Sequence, residues 1–269
     1  MSGPELLTAD RLTRHLAGLR LGSPLHVLGR ADSTNDGARR LAEGGAPEGT
    51  LVIAEEQTRG RGRSGRSWHS PPGVGLWFSV ILRPERPRPD WPVVSPLAGL
   101  ALVEALEELY GLDARLKWPN DVWVGDRKLA GLLAESQPAA GWIVLGMGIN
   151  VHQTPESFPD PLRATATSLA MAVLPPAEIR RPVLLARVLG RLQALYEGFT
   201  AAGPSAVRDG VRRREMILGR RVRIRRQGPS LEGIAVDLGP RCELLVRRDD
   251  GGVEQVSSGH VEILAPSGS

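Results

Sequence analysis

The sequence predicts an α+β protein, and three stretches carry that expectation. Between residues 115 and 151, β-prone runs follow one another with only tight turns between them, Pro119-Asn120-Asp121 and Gly125-Asp126. That is the pattern of an antiparallel meander, not of parallel strands joined by helices. Long leucine- and alanine-rich helical stretches, 95–110 and 177–199, lie on either side of it. Beyond Met216 the chain offers short strands only, at 221–225, 233–237, 243–246, 252–256 and 261–264, parted by Gln227-Gly228-Pro229, Gly239-Pro240 and Asp249-Asp250-Gly251. About 50 residues of closely spaced strands read as a small β-barrel. The expected organisation is therefore one domain over 1–215 and a second over 216–269.

Taken in order, the first element is a short helix over 9–19, with Leu12, Leu16 and Leu19 at helical spacing and a stop at Gly22-Ser23-Pro24. A strand over 25–28 follows. Asp32-Ser33 then offers an N-cap for a helix through Ala38, Leu41 and Ala42 that ends at Gly44-Gly45. Ser33, Thr34 and Asn35 thus fall where a strand hands over to a helix N-terminus, a place where free N–H groups and hydroxyls can hold a polar ligand head; capping explains Ser33 equally well. A strand ends near Gln57, and an alternating strand over 75–82 precedes the helix 95–110, which Gly111 closes. After the meander come the leucine-rich helix 177–199 and a basic helix over 205–214.

The most informative segment is Thr58 to Trp68, which sets Arg59, Arg61, Arg63 and Arg66 among Gly60, Gly62 and Gly65 and ends on a tryptophan. Glycine lets backbone N–H groups approach an oxyanion closely, and arginine supplies flat, permanently charged forks for carboxylate or phosphate. The segment reads as an anion clamp. It nearly fits a phosphate-binding loop at Gly60 to Ser67, but arginine replaces the lysine and a strand-like run follows where that motif needs a helix. Four arginines within eight positions repel one another, so residues 58–67 are expected to be mobile until a ligand supplies counter-charge.

Composition narrows the class. The chain has 269 residues, 41% of them hydrophobic, enough for a substantial core. A single cysteine, Cys242, excludes an intrachain disulfide, and the N-terminus shows no basic-then-apolar signal pattern. No apolar run approaches the roughly 18 residues that cross a bilayer. A cytoplasmic protein with no membrane partner is the expectation. Formal net charge is only +4, but Arg212, Arg213, Arg214, Arg220, Arg221, Arg223, Arg225 and Arg226 gather late in the chain. Few aromatics interleave with them to stack bases, so a solvated face is the preferred reading over an anionic partner. Among 34 basic residues only Lys117 and Lys128 are lysines, and both lie in the meander.

Taken together, Asp32-Ser33-Thr34-Asn35, Gln57 with the Gly60–Trp68 pattern, Lys117-Trp118-Pro119-Asn120-Asp121, Arg127-Lys128-Leu129-Ala130-Gly131 and Gly146-Met147-Gly148-Ile149-Asn150-Val151 resemble the biotin–protein ligases in order and spacing. The resemblance covers about residues 25–151 strongly and the C-terminal barrel by architecture. It implies a catalytic domain related to class II aminoacyl-tRNA synthetases, with a mixed, largely antiparallel sheet, followed by an SH3-like barrel. It also implies ATP and Mg²⁺ as cofactors, biotin as substrate and a biotin carboxyl carrier domain as acceptor. A homodimer is compatible with it. A lipoate or octanoate ligase or transferase of the same fold is the alternative.

By the same resemblance, Ser33, Thr34, Asn35 and Gln57 would hydrogen-bond the biotin rings, and Arg61-Gly62-Arg63 would cover them. Lys128 would touch the biotin carboxylate and the phosphoryl oxygens, with Gly131 keeping that wall close. Arg63, Arg66, Trp68, Asn120 and Lys128 would serve ATP and the adenylate. Lys128, Arg63 and Asp121 would be catalytic, Asp121 orienting cations or metal-bound water, though a turn-capping Asp is an equally common role. Trp118 and Trp123 are assigned to the core. About 30 residues precede Ser33, too few for the helix-turn-helix of some family members, so no specific DNA binding is expected. The tail 258–264 has no arginine at the place expected of a nucleotide contact.

Overall fold

The computed structural model describes residues 6–226 and 228–264; Gln227, assigned above to a turn, lies outside them. The chain opens with helix α1 (Ala9–His15), shorter than the predicted 9–19 because Leu16 leaves the helical region and the chain turns toward the sheet. Strand β1 (Leu25–Ala31), helix α2 (Thr34–Glu43) and strand β2 (Leu51–Gln57) form a parallel unit. Strand β3 (Gly75–Leu82) and helix α3 (Val94–Tyr110) follow, and Gly111 ends α3 in the left-handed conformation at φ 59°. The meander comprises β4 (Ala114–Lys117), β5 (Asp121–Val124), β6 (Arg127–Gln137) and β7 (Trp142–Asn150). Short helices α4 (Asp160–Arg163) and α5 (Leu169–Ala172) lead to α6 (Arg181–Ala202) and α7 (Ser205–Arg214). Strands β8 (Arg221–Arg225), β9 (Leu231–Leu238), β10 (Leu244–Arg247), β11 (Val253–Val256) and β12 (His260–Ile263) finish the chain.

The first seven strands build one mixed sheet in the order β1-β2-β3-β7-β6-β5-β4, in which only β1 and β2 run parallel. The last five make an antiparallel sheet, β11-β10-β9-β8-β12. Alternation along β3 explains the layers. Leu76, Phe78, Val80 and Leu82 join the main core with α3 and α6, whereas Ile81 packs with Val52, Val144, Ala38 and Ala42 beneath α2. Each fully buried side chain of this size contributes roughly 1.5–3 kcal/mol. Helix α3 is apolar nearly all round because it is sandwiched between sheet and α6.

The main core continues without a break into Val222, Ile224, Leu244 and Val246 of the C-terminal sheet. Polar contacts fix how that sheet sits. Arg241 Nε donates to buried Asp90 at 2.9 Å, and Trp118 Nε1 donates to the Cys242 carbonyl at 3.0 Å. Trp118 is buried as expected. Glu215, at the passage between the two sheets, accepts from the backbone N–H groups of Trp118 and Ile217 at 3.1 and 3.3 Å. No helix among the described residues is long and apolar enough to cross a membrane.

Candidate active site

A cavity of about 290 Å³ lies on the α2 side of the large sheet, and every residue singled out above as a site residue lines it: Ser33, Thr34, Asn35, Gln57, Arg61, Gly62, Arg63, Arg66, Trp68, Asn120, Asp121, Lys128 and Gly131. Its floor is made of missing side chains. Gly146 and Gly148 sit two apart on β7, and Gly131 on β6 is the register partner of Gly148, so all three face the cavity. A Cβ on Gly146 would collide with Asn35 Oδ1, one on Gly148 with the Trp68 indole nitrogen, and one on Gly131 would stand 2.9 Å from the Trp68 ring. Trp68 therefore lies flat against the floor, edge-on to Trp77 with ring centres 6.5 Å apart.

At one end, the start of α2 meets β2. Ser33 occupies the N-cap position but its side chain makes no cap hydrogen bond, so the capping explanation of this serine does not hold. Thr34 donates from its N–H and hydroxyl to Gln57 Oε1 at 2.9 and 3.1 Å, and Gln57 Nε2 donates to Ser70 at 2.8 Å. Asn35 is engaged at both ends of its amide: Oδ1 accepts from Ser79 at 2.6 Å, and Nδ2 donates to Glu135 at 2.7 Å. Its fixed orientation makes it part of the wall that holds the other donors.

Above the floor runs the arginine loop, tied across itself by Trp68 N–H to Gly60 O and Gly62 N–H to Arg66 O, and reversing at Ser64 and Gly65, both left-handed. Each of its arginines has an acceptor, carboxylates for Arg59 and Arg61 but neutral groups for Arg63 and Arg66, and the Arg66 charge still bears on Arg63. Arg59 pairs with Asp32, and Arg61 pairs with Glu135 at 2.7 Å and Asp36 at 3.0 Å. Arg63 donates to Asn120 Oδ1 at 3.3 Å, and Arg66 reaches His260 at 3.4 Å. Burial lowers the Arg63 pKa from its ordinary value, with the Asp121 charge opposing that shift.

The other end gathers the two lysines. A bulge in the β5–β6 pairing sets Trp123 opposite Lys128 and Val122 opposite Ala130, leaving Leu129 as the extra residue. Lys128 and Gly131, three apart, thereby share one face. Lys128 is held by backbone bonds to Thr165 and Thr167 at 2.8 and 2.9 Å. Its ammonium stands 2.7 Å from Asp121 Oδ1, an ion pair whose angle falls short of a hydrogen bond, and 5.3 Å from the Trp68 ring centre. Asn120 Nδ2 donates to the Leu132 carbonyl at 2.7 Å, which aims its oxygen at Arg63.

Besides the floor glycines Gly146 and Gly148, sequence reasoning gave no site role to Lys117, Trp123 or His260. Lys117 sits 4.0 Å above the Trp123 ring, and burial holds its pKa below the ordinary value. Trp123 is not a core residue: the short β4–β5 hairpin turns it to the cavity, half-buried under that cation. His260, on β12, brings the C-terminal sheet to the cavity, and burial and then Arg66 lower its pKa. The clustering of both lysines was a visible sign of Lys117, whereas His260 is 194 residues from its partner and carried none.

Residues 27–152 match the Biotin/lipoate A/B protein ligase family, and residues 217–264 match the Biotin protein ligase C terminal domain. The Biotin--[acetyl-CoA-carboxylase] ligase of Mycobacterium tuberculosis is 38% identical over 246 residues, covering 88% of each chain. The bifunctional ligase/repressor BirA of Bacillus subtilis is 33% identical over 255 residues, 91% of this chain and 78% of that one. The biotin protein ligase of Aquifex aeolicus, solved in complex with biotin and ATP, superposes with a TM-score of 0.78 at 30% identity, over 91% of this chain and 100% of that one.

Proposed function

The chain belongs to the biotin protein ligase family, and from that premise we propose that the cavity beneath the arginine loop carries both half-reactions of a biotin ligase. The protein activates biotin with ATP and transfers it to a carboxylase. In the first step a biotin carboxylate oxygen attacks the α-phosphorus of ATP, pyrophosphate leaves, and biotinyl-5'-AMP forms. In the second, a carrier-domain lysine amine attacks the acyl carbon, AMP leaves, and an amide results. The observation that carries this reading is the cavity itself, polar at the α2 end and cationic at the other.

In this reading Ser33, Thr34 and Gln57 take the ureido head, and the glycine floor takes the ring body. Lys128, Arg63 and Arg66 meet the carboxylate and phosphate, where two anions must be brought together. Trp68 walls the adenylate, and Asn120 and Asp121 hold Arg63 and Lys128 in place. His260 supplies the nucleotide-side contact from the C-terminal sheet that an arginine was expected to make. A fatty acyl chain would call for an apolar tunnel, which is why the polar α2 end favours biotin over lipoate or octanoate.

Mg²⁺ enters as the counter-ion of the triphosphate. Among the described residues no group of three or more His, Cys, Asp or Glu could cage a metal; Asp121 is a carboxylate in the cavity that would help hold Mg²⁺, which would supply counter-charge to the triphosphate. The finer fold assignments go with the same reading: a class II synthetase-like catalytic domain over 1–215 and an SH3-like barrel over 216–269, supported by the family match that starts at 217. A cytoplasmic setting fits the lone cysteine.

The test is exchange of labelled pyrophosphate into ATP. Biotin should drive it, and lipoate and octanoate should not. Exchange driven by lipoate or octanoate alone would transfer the assignment to the alternative ligase.

A further inference from the structure

We infer that Glu135 is a positioning residue whose carboxylate latches the arginine loop over the cavity in its ligand-receiving form. Glu135 does not line the cavity. It stands on β6 beyond the stretch that β5 covers, opposite Val144. One of its oxygens, Oε2, accepts from two cavity residues at once: Asn35 Nδ2 at 2.7 Å and Arg61 Nη2 at 2.7 Å. The first bond fixes which way the Asn35 amide points, with Oδ1 toward Ser79. The second ties the loop to the sheet.

Two further observations give the latch its consequence. Arg61 is anchored by Nη2 alone, to Glu135 and, at 3.0 Å, to Asp36, while its Nε is buried and has no hydrogen-bond partner. A buried donor without an acceptor costs free energy, so the two acids hold Arg61 in place against that cost. The cavity also keeps about 290 Å³ beneath the latched loop, close to the lower end of the range for small-molecule sites. The latched loop is thus the form that receives ligand, with Arg61 held at the cavity wall by two acids. Glu135 contributes to biotin affinity without touching biotin.

This inference rests on the reading of the cavity as a biotin site, and the experiment separates the two. Biotin KM, kcat and the biotin dissociation rate are measured for the wild type, Glu135→Gln, Glu135→Ala, Arg61→Ala and the Arg61→Ala/Glu135→Ala double variant, with thermal unfolding as a check on folding. Loss of a charge-assisted hydrogen bond predicts a biotin KM about tenfold higher and faster dissociation in Glu135→Ala. Glu135→Gln, which keeps an acceptor, should lie between it and the wild type, and kcat at saturating biotin should stay within about twofold in both. The double variant should fall well short of the product of the two single effects, because they share the Arg61–Glu135 contact and only the Asn35 bond is lost in addition. Unchanged KM in Glu135→Ala, or effects that simply multiply in the double variant, overturns the latch. A wild type that neither binds nor activates biotin overturns the functional reading instead.

Discussion

A lysine three positions before a glycine on a regular strand would face away from it, yet Lys128 and Gly131 share one cavity because Leu129 is bulged out between them. The ammonium so delivered is a point charge beside Asp121, free to follow negative charge as it moves from carboxylate to phosphoryl oxygen. Lys128→Ala should lower adenylate formation by on the order of 10² to 10³ while weakening biotin binding far less. Lys128→Arg should be poor as well, since a planar fork cannot occupy the same point. Pre-steady-state kinetics with biotin titration checks this, and equal losses in affinity and rate would make Lys128 a ground-state binding residue. At this scale much of the site was legible, because residue types such as Lys128, Arg63 and Gln57 carry their chemistry with them. What Asn35 does was not, since the partners that fix its amide lie 44 and 100 residues away.

Elements decide what the arginine loop can do. Its composition suggested a mobile clamp, and the structure gives each arginine an acceptor, three of them on elements far away in sequence. Charge repulsion was counted from neighbours along the chain; Glu135 on β6 offsets the Arg61 charge, whereas Asn120 and His260 give Arg63 and Arg66 neutral acceptors. We therefore expect hydrogen exchange to be uneven in the free protein. The amides of Gly62 and Trp68, bonded within the loop, should be protected, those of Ser64 and Gly65 at the tip fast, and biotin with ATP should slow the tip as well. Uniformly fast exchange from Arg59 to Arg66 without ligand would show that the pairs do not hold the loop. The strands and helices themselves were readable from alternation and from Gly111, Gly44 and the 119–121 turn. The β5–β6 bulge was not, because register is set by the partner strand.

Across the whole molecule, the meeting of the two sheets brings His260 to the site and buries Glu215 behind the Trp118–Asp121 turn. Burial, opposed by backbone N–H groups and Lys117, pushes the Glu215 carboxyl up to about 8. An acid with a raised folded pKa binds its proton more tightly in the native state. Its contribution to stability is complete below the ordinary carboxyl pKa and is lost as pH rises toward about 8. Glu215→Gln should flatten that part of the stability–pH curve, as urea unfolding between acid and mildly alkaline pH would reveal; an unaltered slope would mean that Glu215 titrates normally.

The late arginine patch also changes meaning once folded. Arg212 pairs with Asp237, Arg214 with Glu107, Arg221 with Asp249, Arg223 with Glu232 and Arg226 with Glu254. Only weak, salt-sensitive binding to generic DNA is expected from so neutralised a face, and a footprint on a defined operator would contradict it.

The central claim is tested most directly by incubating the protein with MgATP, a biotin carboxyl carrier domain and either biotin, lipoate or octanoate, and reading the carrier by intact-mass and peptide spectrometry. The expected result is one biotinyl group on one lysine of the carrier, dependent on ATP, with lipoate and octanoate left untransferred. A carrier that stays unmodified with biotin, or that gains lipoyl or octanoyl in its place, would contradict the account.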